Sequence, residues 1–441
     1  MPQALFPRNF RKAYPEALRG EGCWIITADR RRILDAAGSG AVVSVGHARR
    51  EIAEAMAAQA AQLAYTHTSL FQTAIAEQLA ERLLGLAPAP FRNGGRVFFT
   101  SGGSEATESA LKLACQYHLE RGEPGRVRML SRRLSYHGST LGALAVSGHV
   151  ARRAPFIPLL PEWGHIAPCY CYRCPFGQTF PDCRIACAED LETFLRQVDP
   201  ATVAAFFFEP LSGATLGAAA PPDGYLQRIA EICRSHGILL IADEVMTGMG
   251  RTGAPFAVDL WGISPDMILT GKGVASGYAP LGAVLVAPHV AEAIANGSGV
   301  FPHGFTYQAH PVAMAAGHAV LDILLREQLF DRVAPAGAAL RRALEPLAAS
   351  PLVGDIRGRG LLLGIEFVSD RATRAPFSPA LGVAERVRQV AWDHGVAVYP
   401  MQGCVEGAAG DHVLLAPPFI LSDAEAGQIA AALEAAVARL E

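Results

Sequence analysis

The sequence predicts an α/β fold: a large domain on a mostly parallel sheet, with a small α+β domain built from both ends of the chain. Three observations carry this. Between about residues 95 and 320, six short apolar runs alternate with helical stretches, the pattern of strands and covering helices in one sheet. The runs lack polar–apolar alternation, as expected of strands buried on both faces. Beyond about residue 325 the order becomes helix, strand, helix, strand, helix, which reads as a second, α+β unit. At 441 residues the chain is long enough to bury two cores.

Taken in order, residues 1–50 hold strand-like pieces such as Trp24-Ile25-Ile26-Thr27 and turns such as Ala28-Asp29-Arg30. This segment is expected to pack against the C-terminal part. Residues 51–325 form the large domain. It opens on Ala-rich helical sequence from 50 to 86, interrupted near Tyr65-Thr66-His67-Thr68. Its strands are expected at 97–99, 127–130, 203–208, 238–242, 267–269 and 283–286, each an apolar run punctuated by turn residues. Residues 326–441 form the small domain, with helices at 340–348, 383–392 and from 423, and strands at 361–367 and 396–399.

Hydrophobic residues make up 51% of the chain and the mean hydropathy is +0.22. No stretch approaches the roughly 20 uncharged apolar residues needed to cross a bilayer. The apolar content therefore belongs to core strands and helices. A net charge of −3 gives no electrostatic case for a nucleic-acid or membrane partner. Met1-Pro2-Gln3-Ala4-Leu5 has no basic region leading into an apolar core, so no secretory signal is expected and a cytoplasmic location follows by default.

Five of the nine cysteines, Cys169, Cys171, Cys174, Cys183 and Cys187, crowd one stretch. The Cys171–Cys174 spacing suits zinc thiolates, but no second Cys-x-x-Cys matches it. A disulfide, or free thiols in a surface excursion, remains open. No metal and no catalytic role is assigned there.

The chemistry centres on Asp243 and Lys272. Asp243 closes the run Ile238-Leu239-Leu240-Ile241-Ala242, and Lys272 follows Met267-Ile268-Leu269-Thr270-Gly271. Residues just past the C-terminal ends of parallel strands line the ligand crevice. An amine there can form a Schiff base, and a carboxylate can keep a ring nitrogen protonated, as pyridoxal phosphate requires. Taken alone, the pair reads equally well as a structural salt bridge.

Phe99-Thr100-Ser101-Gly102-Gly103-Ser104-Glu105 passes from a strand through a glycine turn into a helix. Such a helix start binds phosphate through free N–H groups and the helix dipole, though Ser and Gly also cap ordinary helices. It is neither a Walker loop nor a dinucleotide fingerprint. Ser135-Tyr136-His137-Gly138 puts an aromatic ring after the second strand, where it can stack on a cofactor or plug a turn. Glu209 brings another carboxylate to the same sheet edge. Val245 supplies an aliphatic face beside Asp243, and Thr306 a hydroxyl in the glycine-flanked loop Gly304-Phe305-Thr306-Tyr307.

The whole set, in this order, resembles the class III (omega-type) aminotransferases of the fold-type-I pyridoxal phosphate enzymes. The matching strings are Ser101-Gly102-Gly103-Ser104-Glu105-Ala106, Tyr136-His137-Gly138, Glu209-Pro210, and the signature from Asp243-Glu244-Val245 to Gly250-Arg251-Thr252-Gly253. They continue through Thr270-Gly271-Lys272-Gly273, Phe305-Thr306-Tyr307-Gln308, Arg357-Gly358-Arg359-Gly360 and Ala416-Pro417-Pro418-Phe419. The resemblance implies a sheet of the seven-stranded type, pyridoxal 5′-phosphate as cofactor, and a homodimer with shared sites. It implies that Lys272 carries the Schiff base and that Asp243 faces the pyridine nitrogen. Gly103 and Ser104 would hold the phosphate, Tyr136 and His137 would sit at the ring, and Val245 would cover its other face. Thr306 would be a phosphate ligand given to the neighbouring subunit, and Trp24 and Glu209 would lie on the substrate side.

The implied reaction moves an amino group from an amine or amino acid to an oxo acid such as pyruvate. An aminomutase, racemase or decarboxylating relative on the same scaffold shares the same residues and stays open. The resemblance thins at the substrate. Many family members place an arginine shortly before Gly-Asp-His, whereas Glu406-Gly407-Ala408-Ala409 precedes Gly410-Asp411-His412 here. Arg152 or Arg153 could take its place. Gly38-Ser39-Gly40-Ala41 suggests a roomy entrance.

Overall fold

The computed structural model describes residues 4–440. Met1-Pro2-Gln3, part of the stretch read for a signal, lie outside the described residues. The N-terminal meander β1 (Ala17–Glu21), β2 (Trp24–Thr27) and β3 (Arg32–Asp35) is joined in parallel by β13 (Val396–Ala397), so both ends of the chain share one sheet.

The central sheet has seven strands: β4 (Arg96–Thr100), β5 (Arg128–Arg132), β6 (Gly164–Ile166), β7 (Val203–Phe208), β8 (Leu239–Asp243), β9 (Met267–Thr270) and β10 (Gly282–Val286). Their order is β4-β10-β9-β8-β7-β5-β6. The run from β9 to β6 is parallel, and β10 lies antiparallel to both β9 and β4. This agrees with the mostly parallel sheet expected from sequence.

The unbroken apolar runs have the cause inferred for them. Every residue of β7, β8 and β10 is buried. In β7, Phe206 and Phe208 belong to one core cluster and Phe207 to the other, so helices cover both faces. Each buried Phe contributes about 1.5–3 kcal/mol. On one face the helix Gly103–Glu120 applies Ala106, Ala110, Leu113 and Ala114, whose spacing makes one stripe.

A third sheet, in the order β11-β12-β15-β14, comprises β11 (Val353–Arg359), β12 (Leu362–Phe367), β14 (Tyr399–Val405) and β15 (Ala409–Leu415). Arg251 ties these parts together. Its buried guanidinium donates to the carbonyls of Val43, Leu361 and Pro417, and burial pushes its pKa down to about 9.

Candidate active site

Parallel strands bring the reactive groups to one edge. Asp243 is the last residue of β8, paired with Leu269 of β9, and Lys272 follows β9 after Gly271. Glu209 follows β7 directly, and Tyr136 and His137 follow β5. With Gly103, Ser104 and Val245 they line one chamber of about 180 Å³. Eight of the ten residues assigned from sequence meet here; Trp24 and Thr306 do not.

The carboxylate of Asp243 is buried and held on both oxygens. One lies 2.8 Å from His137 Nδ1, and the other accepts the Val245 N–H at 3.1 Å. Fixing both carboxylate oxygens this way presents the group in one orientation. His137 is in turn positioned through its backbone: its N–H donates to Ser147 Oγ at 2.7 Å, and its carbonyl accepts from Thr107 Oγ1 at 2.7 Å.

Lys272 lines the chamber and has φ +44°, a left-handed conformation uncommon for a residue with a side chain. Its amine makes no hydrogen bond or ion pair among the described residues, so the salt-bridge alternative is not realised. Burial is the main cause that lowers its pKa from 10.5 to about 8. Asp243 and Glu209 oppose the shift, while Arg251 and Arg152 add to it. Glu209 is buried as well, which raises its pKa against the pull of His137 and Arg132. Its oxygens accept the N–H groups of Gly213 at 2.9 Å and Tyr136 at 3.4 Å.

The helix Gly103–Glu120 points its N-terminus into the chamber. Ser104 Oγ accepts the Ser139 N–H at 3.0 Å. A Cβ at Gly103 would lie 2.9 Å from Val245 Cγ1, so glycine is what lets strand end and helix start meet. Gly138 has φ +142°, and a Cβ there would meet Ser104 Oγ at 2.7 Å.

These features fit pyridoxal phosphate. There is an unpaired amine poised to lose its proton, a fixed carboxylate near it, and a helix start with exposed N–H groups for an anion. Tyr136 and Val245 supply flat and aliphatic walls.

Sequence reading missed a second, smaller chamber of about 60 Å³ that shares Tyr136, Met246 and Lys272 with the first. Its far wall is Tyr399, Met401 and Leu414 from β14 and β15, with Gly40 at the rim. Arg152 opens into it, whereas Arg153 lines a separate cavity with Arg133 and Tyr172.

Trp24 requires a correction. Its indole N–H donates to Glu425 at 2.7 Å and the Arg32 guanidinium lies 4.7 Å over its ring, so it staples the N-terminal meander to the last helix and lines neither chamber. Thr306 is exposed, away from Lys272 of its own chain, with its carbonyl accepting from Tyr65 at 2.8 Å. The clustered cysteines are all free thiols, and among the described residues no group of His, Cys, Asp and Glu has the spacing of a metal site. Cys169 is buried against the Arg132 guanidinium.

The model of the class-III aminotransferase family matches residues 7–437. An uncharacterised aminotransferase of Bacillus subtilis is 36% identical over 100% of this chain and 99% of its own length. An omega-aminotransferase of Caulobacter vibrioides is 36% identical over 94% of this chain and 92% of its own. Among solved structures, an (S)-enantioselective omega-transaminase from Thermomicrobium roseum superposes with a TM-score of 0.93 at 38% identity, covering 99% of this chain and 96% of that one. An amine transaminase from an uncultivated Pseudomonas species, in its pyridoxal-phosphate-bound form, gives 0.92 at 39%, covering 100% and 98%.

Proposed function

The chain belongs to the class-III aminotransferases, pyridoxal-phosphate-dependent enzymes that transfer amino groups, and from that premise we propose how its own residues divide the work. The observation that carries the reading is the unpaired Lys272 amine in one chamber with the fixed carboxylate of Asp243. Bound there, pyridoxal phosphate supplies an aldehyde carbon that takes the amino group and a protonated ring that draws electrons from the substrate's Cα.

Lys272 would be the amine that holds the cofactor's aldehyde carbon, and the same amine, when free, would carry the proton from and back to the substrate's Cα; burial lowers its pKa in the empty site to about 8. Asp243 would keep the ring nitrogen protonated, and His137 keeps its carboxylate aimed. The Gly103–Ser104 helix start would take the phosphate, and Tyr136 and Val245, which line the same chamber, would pack on the ring. Glu209, which lines the same chamber, would lie on the substrate side. The amino group passes from an amine or amino acid to an oxo acid; the relatives named above are aminotransferases or transaminases, which favours transfer over isomerisation.

A homodimer with shared sites belongs to this reading. Thr306 lines neither chamber of its own chain and lies beside the exposed rings of Tyr65 and Tyr307, which suits a subunit interface. Nine unpaired cysteines support a reducing, cytoplasmic setting, and among the described residues no helix is long and apolar enough to cross a membrane.

Two measurements test the reading. Borohydride reduction of the loaded protein should fix the cofactor to Lys272, and peptide mapping to another lysine would refute it. Single-turnover spectra against amines and amino acids, without oxo acid, should show the cofactor converted to its amine form. Turnover without that conversion would instead favour an isomerase or lyase.

A further inference from the structure

A cavity of about 1000 Å³ lies apart from the reacting groups and, among the described residues, shares no wall residue with either Lys272 chamber. Its walls come from the turn after β5, the residues from 148 to 153, the cysteine-rich segment, and β14 of the third sheet. The stretch 148–153 divides the two places. His149 and Arg152 face the Lys272 side, whereas Val150 and Arg153 face this cavity. A volume of this size suits an organic molecule rather than a bare ion.

Four arginines line the cavity, Arg133, Arg153, Arg173 and Arg374, against one carboxylate among the described residues, the exposed Glu406. Four positive charges less one negative leave an excess of three, in a chain whose net charge is −3. Arg173 has an acid partner, with Nε 2.6 Å from Glu366. The other three make no ion pair among the described residues. Arg133 reaches the His165 carbonyl at 3.5 Å, and Arg374 donates to the Tyr172 carbonyl. The Arg153 guanidinium has no hydrogen bond at all among the described residues, and its Nε is buried. Tyr172 gathers two of the four, with Cζ of Arg374 and Arg173 at 5.0 and 5.3 Å from its ring centre. Burial and then Arg153 push His165, in the same wall, down to about 4, so it is neutral at physiological pH. Like charges assembled this way repel one another until an anion joins them.

We infer that this cavity is a second ligand site, which takes a small organic polyanion, a molecule with two or more phosphate or carboxylate charges on a carbon frame. Arg133, Arg153 and Arg374 receive the charges, because the planar fork of arginine matches phosphate and carboxylate oxygens in parallel bonds. Leu134, Val150 and Val405 give the carbon frame an apolar bank. An occupant here backs onto the wall of the Lys272 chamber without touching the reacting groups, so the site stands whatever the amino donor is.

The test is calorimetric titration of the cofactor-loaded enzyme with ADP, citrate and adenosine, in about 0.15 M salt so that loose surface attraction is screened. ADP or citrate is expected to bind at one site per chain, and adenosine, which lacks the charges, is not. The tighter of the two tells a phosphate ester from a polycarboxylate. Arg153→Gln and Arg133→Gln should each weaken that ligand by about 10- to 150-fold, the loss of a charge-assisted hydrogen-bonded contact. Arg153→Lys should land between, because it keeps charge without the fork. Arg133 is exposed, so Arg133→Gln carries the test if Arg153→Gln does not fold. The cofactor's absorbance should not change on binding, since the two sites share no wall residue among those described. Three results would overturn the inference: neither polyanion binding tighter than about 1 mM, unchanged affinity in either folded variant, or release of the cofactor by the ligand. Should no polyanion bind while both variants loosen the enzyme's self-association, the guanidiniums serve an acidic segment of a second chain and the ligand site is lost.

Discussion

His137 Nδ1 lies 2.8 Å from Asp243 Oδ2, while its other ring nitrogen, Nε2, is buried and has no hydrogen-bond partner among the described residues. The imidazole therefore spends its polar capacity on one carboxylate oxygen, and the strand-end acid acts as one unit with the turn after β5.

Asp243→Asn should fold and retain cofactor but lose most turnover. The amide cannot keep a ring nitrogen protonated, and removing the charge-assisted bond alone costs about 1.5–3 kcal/mol, a factor of roughly 10 to 150. Steady-state rates beside a cofactor-content assay check this; near-normal rates would remove the electron-sink role of Asp243.

Because His137 acts through Asp243, the two substitutions should not add. His137→Phe preserves the ring contact with Phe207, whose centroid is 5.9 Å away, but deletes the donor. About a tenfold loss is expected from the single change. Made in the Asp243→Asn background, it should cost little more, the pattern of residues coupled in one network. Additive losses would mean that His137 has an independent role.

Much of this unit was legible in the sequence because buried parallel strands write themselves as unbroken apolar runs. The run 238–242 locates Asp243 at a strand end, and 267–269 does the same for Lys272, within one residue of β8 and β9. The wall built by Tyr399 and Met401 was not legible. Pro400 and Gly403 interrupt any alternation in β14, and the strand matters only through tertiary packing against the central sheet. Gly410-Asp411-His412 carries turn-like residues yet lies inside β15, where Asp411 accepts the Ala384 N–H at 2.9 Å and His412 reaches the Ala214 carbonyl at 2.7 Å. Trp24 misled for a related reason: an exposed-looking aromatic in a short strand gives no hint that Glu425, 401 residues away, claims its indole.

The cofactor-free protein should load in a pH-dependent way set by Lys272. Only the neutral amine attacks an aldehyde, so the second-order loading rate should rise through about pH 8 and then level off. The folded pKa lies below the ordinary 10.5, so the unfolded chain binds more protons between those values. Stability from this group is therefore gained as pH rises from about 8 to 10.5 and is lowest below 8. A loading rate still climbing past pH 10 would show that burial does not depress this amine.

Gly103→Ala should weaken cofactor binding, because its Cβ meets Val245 Cγ1 at 2.9 Å and Cγ2 at 3.0 Å, and a β-branched side chain yields poorly. Overpacking of this kind costs about 1–3 kcal/mol. Adding Val245→Ala should recover part of the affinity measured by equilibrium dialysis. No recovery would place the fault at the phosphate rather than in the clash.

Thr306 tests the assembly. Its own chain leaves it exposed beside Tyr65 and Tyr307, whose rings sit 6.0 Å apart, and it lines neither Lys272 chamber. If it serves the neighbouring subunit, Thr306→Ala should weaken cofactor binding, and removing the cofactor should lower the dimer's thermal midpoint by linkage. Mixing is the sharper experiment. Lys272→Ala chains lack the amine but keep Thr306; Thr306→Ala chains do the reverse. In a mixed dimer, one site regains both groups and the other has neither. After full exchange of equal amounts, half the dimers are mixed and about one quarter of all sites should behave as wild type. Tight-binding cofactor titrates that fraction directly, independent of turnover. Proven exchange with no tight sites beyond those of the separate variants would mean that Thr306 acts within its own chain, and the shared site would have to be given up.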